Sequence, residues 1–160
     1  MFELNANPNV YVWILFDGVQ LFIPQDDVQS VEIVSDIDIT ETAIGAVGWW
    51  QDPSYEQASP IFCLSKELNL LQKFKKIQEY FVLLKDPDIP VGIACEKVEH
   101  LDIIEEHLNF QDMPAVMKTF KSPIHNLLIY KEKLACVCYG ADLIRHLGEQ
   151  STLFGQKSNG

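Results

Sequence analysis

The chain has 160 residues, a length that favours one domain or two small lobes with a shared core. Its hydrophobic content of 48% and charged content of 22% are typical of a folded globular protein and not of a disordered chain. The net charge of −11 and the single arginine, Arg145, exclude the cationic face that nucleic-acid binding needs. The longest apolar runs are far shorter than the roughly 20 residues of a membrane span. The N-terminus lacks the positive region of a signal peptide.

The charge is distributed unevenly along the chain. Residues 1–70 hold eleven Asp and Glu against one Lys, a balance of −10. Residues 71–160 hold twelve Asp and Glu against eleven Lys and Arg, a balance of −1. The acidic first half suits a basic partner, although the same charge would also serve solubility alone.

The first part of the chain has the pattern of strands separated by short polar segments. Asp17-Gly18 is the strongest hairpin signal, because this dipeptide favours the tight turn between antiparallel strands. Residues 1–9 are predicted to be a loose leader. The elements predicted after it are strands at Val10–Phe16 and Val19–Ile23, a helical turn at Gln25–Ser30, a strand at Val31–Val34, an acidic loop at 35–42, a strand at Ile44–Trp50 and a polar loop at Gln51–Ser59.

The stretch Pro60–Leu70 combines two signals. A short apolar run stops at Ser65, which suits a helix N-cap because its hydroxyl can accept from backbone N–H groups of the next turn. Leucines then recur at helical spacing, so the stretch predicts a strand that turns directly into a helix, which is expected to extend through Phe74 and Ile77. A similar unit at Leu134–Leu147 lines up with it at a separation of 75.

The second half repeats the pattern of the first at an offset of 70 residues. Leu21 then meets Val91, and Asp26 meets Glu96, so apolar residues match apolar ones and acids match acids. The predicted elements are strands at Tyr80–Lys85 and Ile89–Cys95, a helical turn at Glu96–His100, a connection at Leu101–Lys121 with a possible helical turn at Ile103–Leu108, strands at Leu127–Tyr130 and Leu134–Tyr139, a helix at Ala141–Leu147 ended by Gly148, and a mobile polar tail.

Many short strands joined by hairpins indicate a mainly β fold. We predict two pseudo-repeated small antiparallel β-barrel (SH3-like) lobes that share a core and carry short helices. Lobe one covers about 10–71, lobe two about 79–147 and the tail 148–160, all within one domain of residues 1–160. A doubly wound parallel sheet is not expected, because no strand leads through a glycine-rich loop into a long helix.

The four cysteines, Cys63, Cys95, Cys136 and Cys138, lie within or at the ends of apolar runs. No two of them have the two-residue gap of a zinc or redox motif. We therefore predict buried, inert thiols with raised pKa values. Such use of cysteine fits a reducing, cytoplasmic compartment.

Residue types that carry chemistry form no complete set. His100 and His107 could share a helix face, but no third ligand accompanies them at a suitable spacing. The many carboxylates lie in charged loops, where solvation explains them. We therefore predict a non-enzymatic protein without catalytic residues, metal or cofactor. A small-molecule-binding barrel or an enzyme is a weaker alternative that would need a deep polar pocket.

Trp49 and Trp50 are adjacent, so on a strand their side chains point to opposite faces. One can enter the core while the other is exposed, and an exposed Trp is a good binding anchor. The alternative is that the core covers one and the loop Gln51–Ser59 covers the other.

Three segments resemble the CheW-like domain, the scaffold of bacterial chemosensory arrays. Val91–Glu99 is similar to the family pattern Val-Gly-Leu-x-Val-Asp-x-Val-x, and Pro60–Leu64 is similar to Pro-Val-Val-Asp-Leu. Ile44–Trp50 is similar to Leu-Gly-Val-Val-Asn-Leu-Arg. The order and spacing of these segments carry the resemblance, which covers roughly Val10 to Leu147.

The sequence also departs from the family pattern at several positions. Gly48 and Trp50 stand where the family commonly has Asn and Arg, Cys63 where it has Asp, and Ser30 where it often has Glu. The loop Gln51–Ser59 is longer than usual. Family members bridge a CheA-type histidine kinase to chemoreceptor tips, and the altered positions lie where such contacts are expected.

The resemblance implies a cytoplasmic adaptor that docks a CheA-like kinase regulatory domain, a chemoreceptor tip or another CheW-like domain without chemistry. The contact residues that we predict are Gln29, Ser30, Val47, Trp49 and Trp50. The alternative is a divergent member outside the array, such as a regulator of pilus or twitching motility or a self-associating structural protein.

Overall fold

The computed structural model describes residues 10–39, 45–73, 75–102, 109–111 and 122–159. The strands are β1 Val10–Phe16, β2 Val19–Pro24, β3 Val28–Ile33, β4 Asp38–Ile39, β5 Gly48–Trp50, β6 Ser59–Leu64, β7 Leu70–Leu71, β8 Tyr80–Leu84, β9 Val91–Cys95, β10 Lys97–Asp102, β11 Asn109–Gln111, β12 Ile124–Tyr130 and β13 Lys133–Cys138. The helix α1 spans Gly140–Asn159, and single 3-10 turns lie at Gln25–Asp27 and Val34–Asp36.

The strands form two curled sheets, and the prediction of a mainly β fold is confirmed. Sheet 1 has the order β10-β1-β2-β13-β12-β11, and sheet 2 has the order β3-β8-β9-β6-β5-β4, with β7 paired to β6. The two orders become identical when β1, β2 and β10–β13 are exchanged for β8, β9 and β3–β6. The internal repeat that the sequence shows is therefore present in the topology.

The sheets do not coincide with the predicted lobes of about 10–71 and 79–147. β1 and β2 belong to the sheet of β10–β13, and β8 and β9 belong to the sheet of β3–β6. In each repeat, the chain crosses to the other sheet between the second and the third strand. Each sheet also contains one parallel pair, β2 with β13 and β6 with β9, so the lobes are not purely antiparallel.

The crossovers are held by backbone hydrogen bonds at matching places. After β2, the carbonyl of Asp27 accepts from the amide of Lys85 at 2.9 Å. After β9, the amide of Glu96 donates to the carbonyl of Leu15 at 2.8 Å. Leu15 and Lys85 are equivalent positions of the two repeats, since they are 70 residues apart. Each crossover is therefore bonded to the equivalent strand end of the opposite sheet.

Both faces of the central strands are buried, because successive side chains on a strand point to opposite sides. In β1, Val12, Ile14 and Phe16 enter a core that both sheets share, whereas Tyr11 and Trp13 enter a second cluster with Phe22 of β2, inside sheet 1. In β8, Val82 and Leu84 enter the shared core, whereas Phe81 and Leu83 enter a third cluster in sheet 2. This two-sided burial explains the continuous apolar runs.

The predicted hairpin turn at Asp17-Gly18 is confirmed, and a second turn of the same kind joins β12 and β13 at Lys131-Glu132. In each pair both residues have positive φ, at 48° and 79° and at 51° and 67°. Positive φ at both central residues is the turn geometry that matches the twist of paired strands.

The helix predicted after Ser65 is wrong. The Ser65 hydroxyl does accept from the amides of Glu67 and Asn69, at 3.2 Å each, but these bonds close a turn. Leu68 takes a left-handed φ of 63°, which an α-helix cannot contain. Leu70 then pairs with β6, so the spacing of the leucines reflects a short hairpin.

Two further predictions of helix bounds are wrong. Residues 97–100 of the predicted helical turn Glu96–His100 belong to β10, which pairs with β1 and provides ladder hydrogen bonds that a turn could not. The last helix does not stop at Gly148 but runs to Asn159, where a mobile tail was predicted. Gly148 lacks the positive φ of a helix-ending glycine, so it continues the helix.

Some predictions fall on residues outside the described parts of the chain. They are the leader at 1–9, the start of the strand at Ile44, the continuation through Phe74 and the helical turn at Ile103–Leu108. Among the described residues, no helix is both long enough and apolar enough to cross a membrane.

Candidate functional site

The predicted contact residues lie on two strands of sheet 2 that are far apart in its order. Gln29 and Ser30 lie on β3, at the end of the sheet, and Trp49 and Trp50 lie on β5. The curl of the sheet nevertheless brings the loop after β5 to β3. The hydroxyl of Tyr55, in that loop, donates to Gln29 Oε1 at 3.3 Å. The structure thus joins Gln29 to the loop that follows the two tryptophans.

Trp49 and Trp50 are both half-buried. The Trp50 ring contacts Phe81 edge to face, with 5.9 Å between the ring centroids, and packs on the third cluster. Trp49 is its neighbour on the strand, so its side chain leaves on the other face. The two side chains therefore lie on opposite faces of β5, and neither is fully exposed.

Val47 is a core residue. Its side chain is 1% exposed and packs with Cys63 and Ala94 in a small cluster on sheet 2. The amide of Val47 also donates to the carbonyl of Ile61 at 2.8 Å, which fixes the segment before β5. Its side chain therefore offers almost no surface to a partner in this structure, and the predicted contact of Val47 stays a prediction.

The loop after β5 holds its own shape through four hydrogen bonds. The side-chain amide of Gln51 donates to the carbonyls of Asp52 and Tyr55, at 3.1 and 2.8 Å. The Asp52 carboxylate accepts from the amide of Ser54 at 2.8 Å, and its carbonyl accepts from the amide of Tyr55 at 3.0 Å. These bonds present Tyr55 to β3 in a defined position.

β3 also carries an exposed apolar residue, Ile33, that was not among the predicted contact residues. Ile33 ends β3 with 55% of its surface exposed, and Ile77 in the segment before β8 is 59% exposed. The amide of Val34 donates to the carbonyl of Glu79 at 2.9 Å and holds the two segments together. Ile33 shares the face of Val31 at the two-residue period, which is the sequence signal that could have identified it.

The surroundings of β3 are acidic. Asp26 lies exposed just before the strand, Glu32 lies on it, and Asp36 and Asp38 lie exposed after it. A partner that approaches this edge therefore meets negative charge beside apolar surface.

The cysteines are free thiols in apolar surroundings, as predicted. Burial raises the pKa of Cys63 and of Cys95 to about 12, and it also raises the pKa of Cys136 and Cys138. A thiol with so high a pKa is not a nucleophile near neutral pH. Within the described ranges, no three His, Cys, Asp or Glu side chains are grouped so that they could hold a metal ion.

Cys63 donates to a buried amide. Its thiol points to Oε1 of Gln78 at 3.2 Å, and the same oxygen accepts from the amide of Lys75 at 3.0 Å. Gln78 is 4% exposed, and its Nε2 has no hydrogen-bond partner among the described atoms. Cys63 therefore fixes the segment before β8 against β6, which is a structural role.

Comparison with known proteins places the fold. No protein-family model matches the sequence, and no curated protein matches it. Among solved structures, the scaffolding protein TtCheW from Thermoanaerobacter tengcongensis matches with a TM-score of 0.61 over 82% of this chain and 88% of that protein, at 17% identity. This likeness shows that the chain, with its two curled sheets and one helix, has the CheW-like fold of two β-barrel lobes.

Proposed function

We propose that this protein is a non-enzymatic, cytoplasmic adaptor of a bacterial chemosensory or motility signalling system. It binds the regulatory domain of a CheA-like histidine kinase, a chemoreceptor tip or both. The observation that carries the proposal is the contact of Tyr55, in the loop that follows Trp50, with Gln29 on β3, the strand that ends at the exposed Ile33 in acidic surroundings. Half-buried aromatic residues beside exposed apolar ones are typical of interaction surfaces, and the CheW-like fold supports the same class of function.

A titration with the regulatory domain of the CheA-like kinase from the same genome tests the proposal. We expect saturable binding by calorimetry, and affinity that falls with salt if the partner surface is basic. Ser30→Arg places bulk and a positive charge on β3 and should weaken binding at least about tenfold, which is the loss of one central contact. His125→Arg, at an exposed position on β12 of sheet 1, is the control and should bind like the wild type. Absence of wild-type binding at high micromolar concentration would contradict the proposal.

The second candidate function is that of a self-associating CheW-like protein outside the array. Ile129 and Leu134 favour it, because they pair across the β12–β13 hairpin and are 37% and 55% exposed. Size-exclusion chromatography with light scattering separates the two candidates. A dimer that Leu134→Glu converts to a monomer, and that the kinase domain leaves unchanged, would favour self-association over the adaptor.

A further inference from the structure

β3 has one unpaired side in the described structure. The order of sheet 2 begins at β3, which pairs with β8 on its inner side, and no other described strand pairs with it. Backbone N–H and C=O groups on such an edge can pair with a further strand from another chain. A register shift between Val28 and Ser30 places Gln29 in a bulge of this edge, and bulges are one of the devices that protect an edge.

Tyr55 lies over this bulge. Its hydroxyl donates to Gln29 at 3.3 Å, across 26 residues of chain, while Gln51 and Asp52 hold the loop from the other end. Apart from Tyr55, the loop residues 51–57 are mostly exposed. One polar contact between two half-buried side chains is the kind of contact that can open without unfolding the sheet.

We propose that residues 51–58 form a strap that must leave Gln29 before an extended partner segment can add to β3 as a further strand. The inference rests on the proposed adaptor function and deepens it, because it names the docking element and the kind of partner. Asp26, Glu32 and Asp36 beside the edge select a partner segment with basic residues. The strap lowers the apparent affinity, because only the open fraction of the protein binds.

The first test needs no partner. Tyr55→Phe, Gln29→Ala and the double variant form a thermodynamic cycle in urea unfolding. We expect the two single effects to be non-additive by about two- to tenfold in the unfolding constant, the net contribution of one hydrogen bond. Additive effects would show that the contact does not form in solution, and would overturn the proposal.

The second test is the affinity for the CheA-like regulatory domain. Tyr55→Phe removes only the hydroxyl, so it should bind about two- to tenfold more tightly than the wild type. Tyr130→Phe, on β12 of sheet 1, is the matched control and should leave the affinity unchanged.

The outcomes separate the strap from the adaptor function. Equal affinity of wild type and Tyr55→Phe would reject the strap and leave the adaptor intact. Weaker binding by Tyr55→Phe would make Tyr55 a contact and also reject the strap. Aggregation of Tyr55→Phe without tighter binding would show that Tyr55 only protects the edge of β3 from aggregation, and would also reject the strap. If neither protein binds, the adaptor function fails, and the partner-gating role falls with it.

Discussion

Asp27, in the 3-10 turn before β3, is hydrogen-bonded both to the start of α1 and to the end of β8. Its carboxylate accepts from the amide of Gly140 at 2.9 Å, at the start of α1 and 113 residues away in sequence. Its carbonyl meanwhile accepts from Lys85 at the crossover. A Cβ added at Gly140 would lie 2.8 Å from Asp27 Cβ, which is too close. Glycine is therefore needed where the start of α1 approaches Asp27. A carboxylate at a helix N-terminus satisfies an orphan amide and complements the helix dipole.

Substitution of Asp27 tests this cap. Asp27→Ala should lower the free energy of unfolding by about 1 kcal/mol, the usual cost of a lost N-cap. Asp27→Asn should retain most of it, because its amide oxygen can still accept. Asp26→Ala, an exposed neighbour, is the control. Equal urea midpoints for Asp27→Ala and Asp26→Ala would contradict the capping role.

Asp17 connects the β1–β2 turn to sheet 2. Its carboxylate contacts Lys75 Nζ at 3.0 Å and accepts from the amide of Lys66 at 3.0 Å, while its own amide donates to Glu96 at 2.6 Å. The hydrogen bond from Lys75, followed by that from Lys66, lowers the pKa of Asp17 below its ordinary value of 3.8.

A lowered pKa fixes the sign of the pH dependence. The Asp17 carboxylate contributes its full stability above pH 3.8 and loses it as the pH falls through the lower folded pKa. The stability difference between wild type and Asp17→Asn, measured in urea, should therefore be constant from neutral to mildly acidic pH and shrink below 3.8. Lys75→Met should reduce this difference. A difference that grows with acidification would contradict the assignment.

At the scale of the element, the side chains of neighbouring strands within sheet 2 are closely packed around β9. A Cβ at Gly92 in β9 would overlap the side chain of Ile61 and approach Phe81 within 3.3 Å. At Gly148, within α1, a Cβ would meet nothing within 4 Å. The same substitution therefore has opposite consequences in the two elements.

Gly92→Ala should destabilise the protein by about 1–3 kcal/mol, the usual cost of overpacking a core. Gly148→Ala should stabilise it by about 0.5–1 kcal/mol, because alanine is the better helix former. Urea unfolding of both variants checks the pair. A destabilising Gly148→Ala would indicate that the helix needs a flexible residue there.

At the scale of the molecule, one core holds both sheets together. It contains Ile14 and Leu21 from sheet 1, Phe62 and Val82 from sheet 2, and Leu143 from α1. The Nε2 atom of His146, in α1, lies 2.7 Å from the carbonyl oxygen of Leu68, so the helix also contacts the turn after β6. Removal of a side chain from this core weakens both sheets at once.

Leu143→Ala should cost about 2–5 kcal/mol, as expected for a fully buried leucine. We expect it to shift one common unfolding transition. Trp13 reports on sheet 1 and Trp50 on sheet 2, so single-tryptophan versions should unfold at the same urea concentration. Transitions that separate would show that the sheets unfold independently.

The sequence by itself determined the elements whose causes are local. The apolar runs and the Asp17-Gly18 signal predicted β1 and β2 with nearly correct bounds, and the offset of 70 predicted the repeat. The mainly β class and the buried thiols follow from the same apolar runs. The predicted placement of Trp49 and Trp50 on one strand also follows from local pattern, and adjacent strand residues face opposite sides.

Only the tertiary structure decided the features that depend on distant partners. Which sheet receives β3 and β10 depends on pairing with strands of the other repeat, and no local pattern encodes that choice. Leu68 adopts a left-handed turn because Leu70 pairs with β6, which overrides helical spacing. Val47 is buried by the residues around it, and Tyr55 reaches Gln29 because the sheet curls. These outcomes come from packing, where long-range burial outweighs local preference.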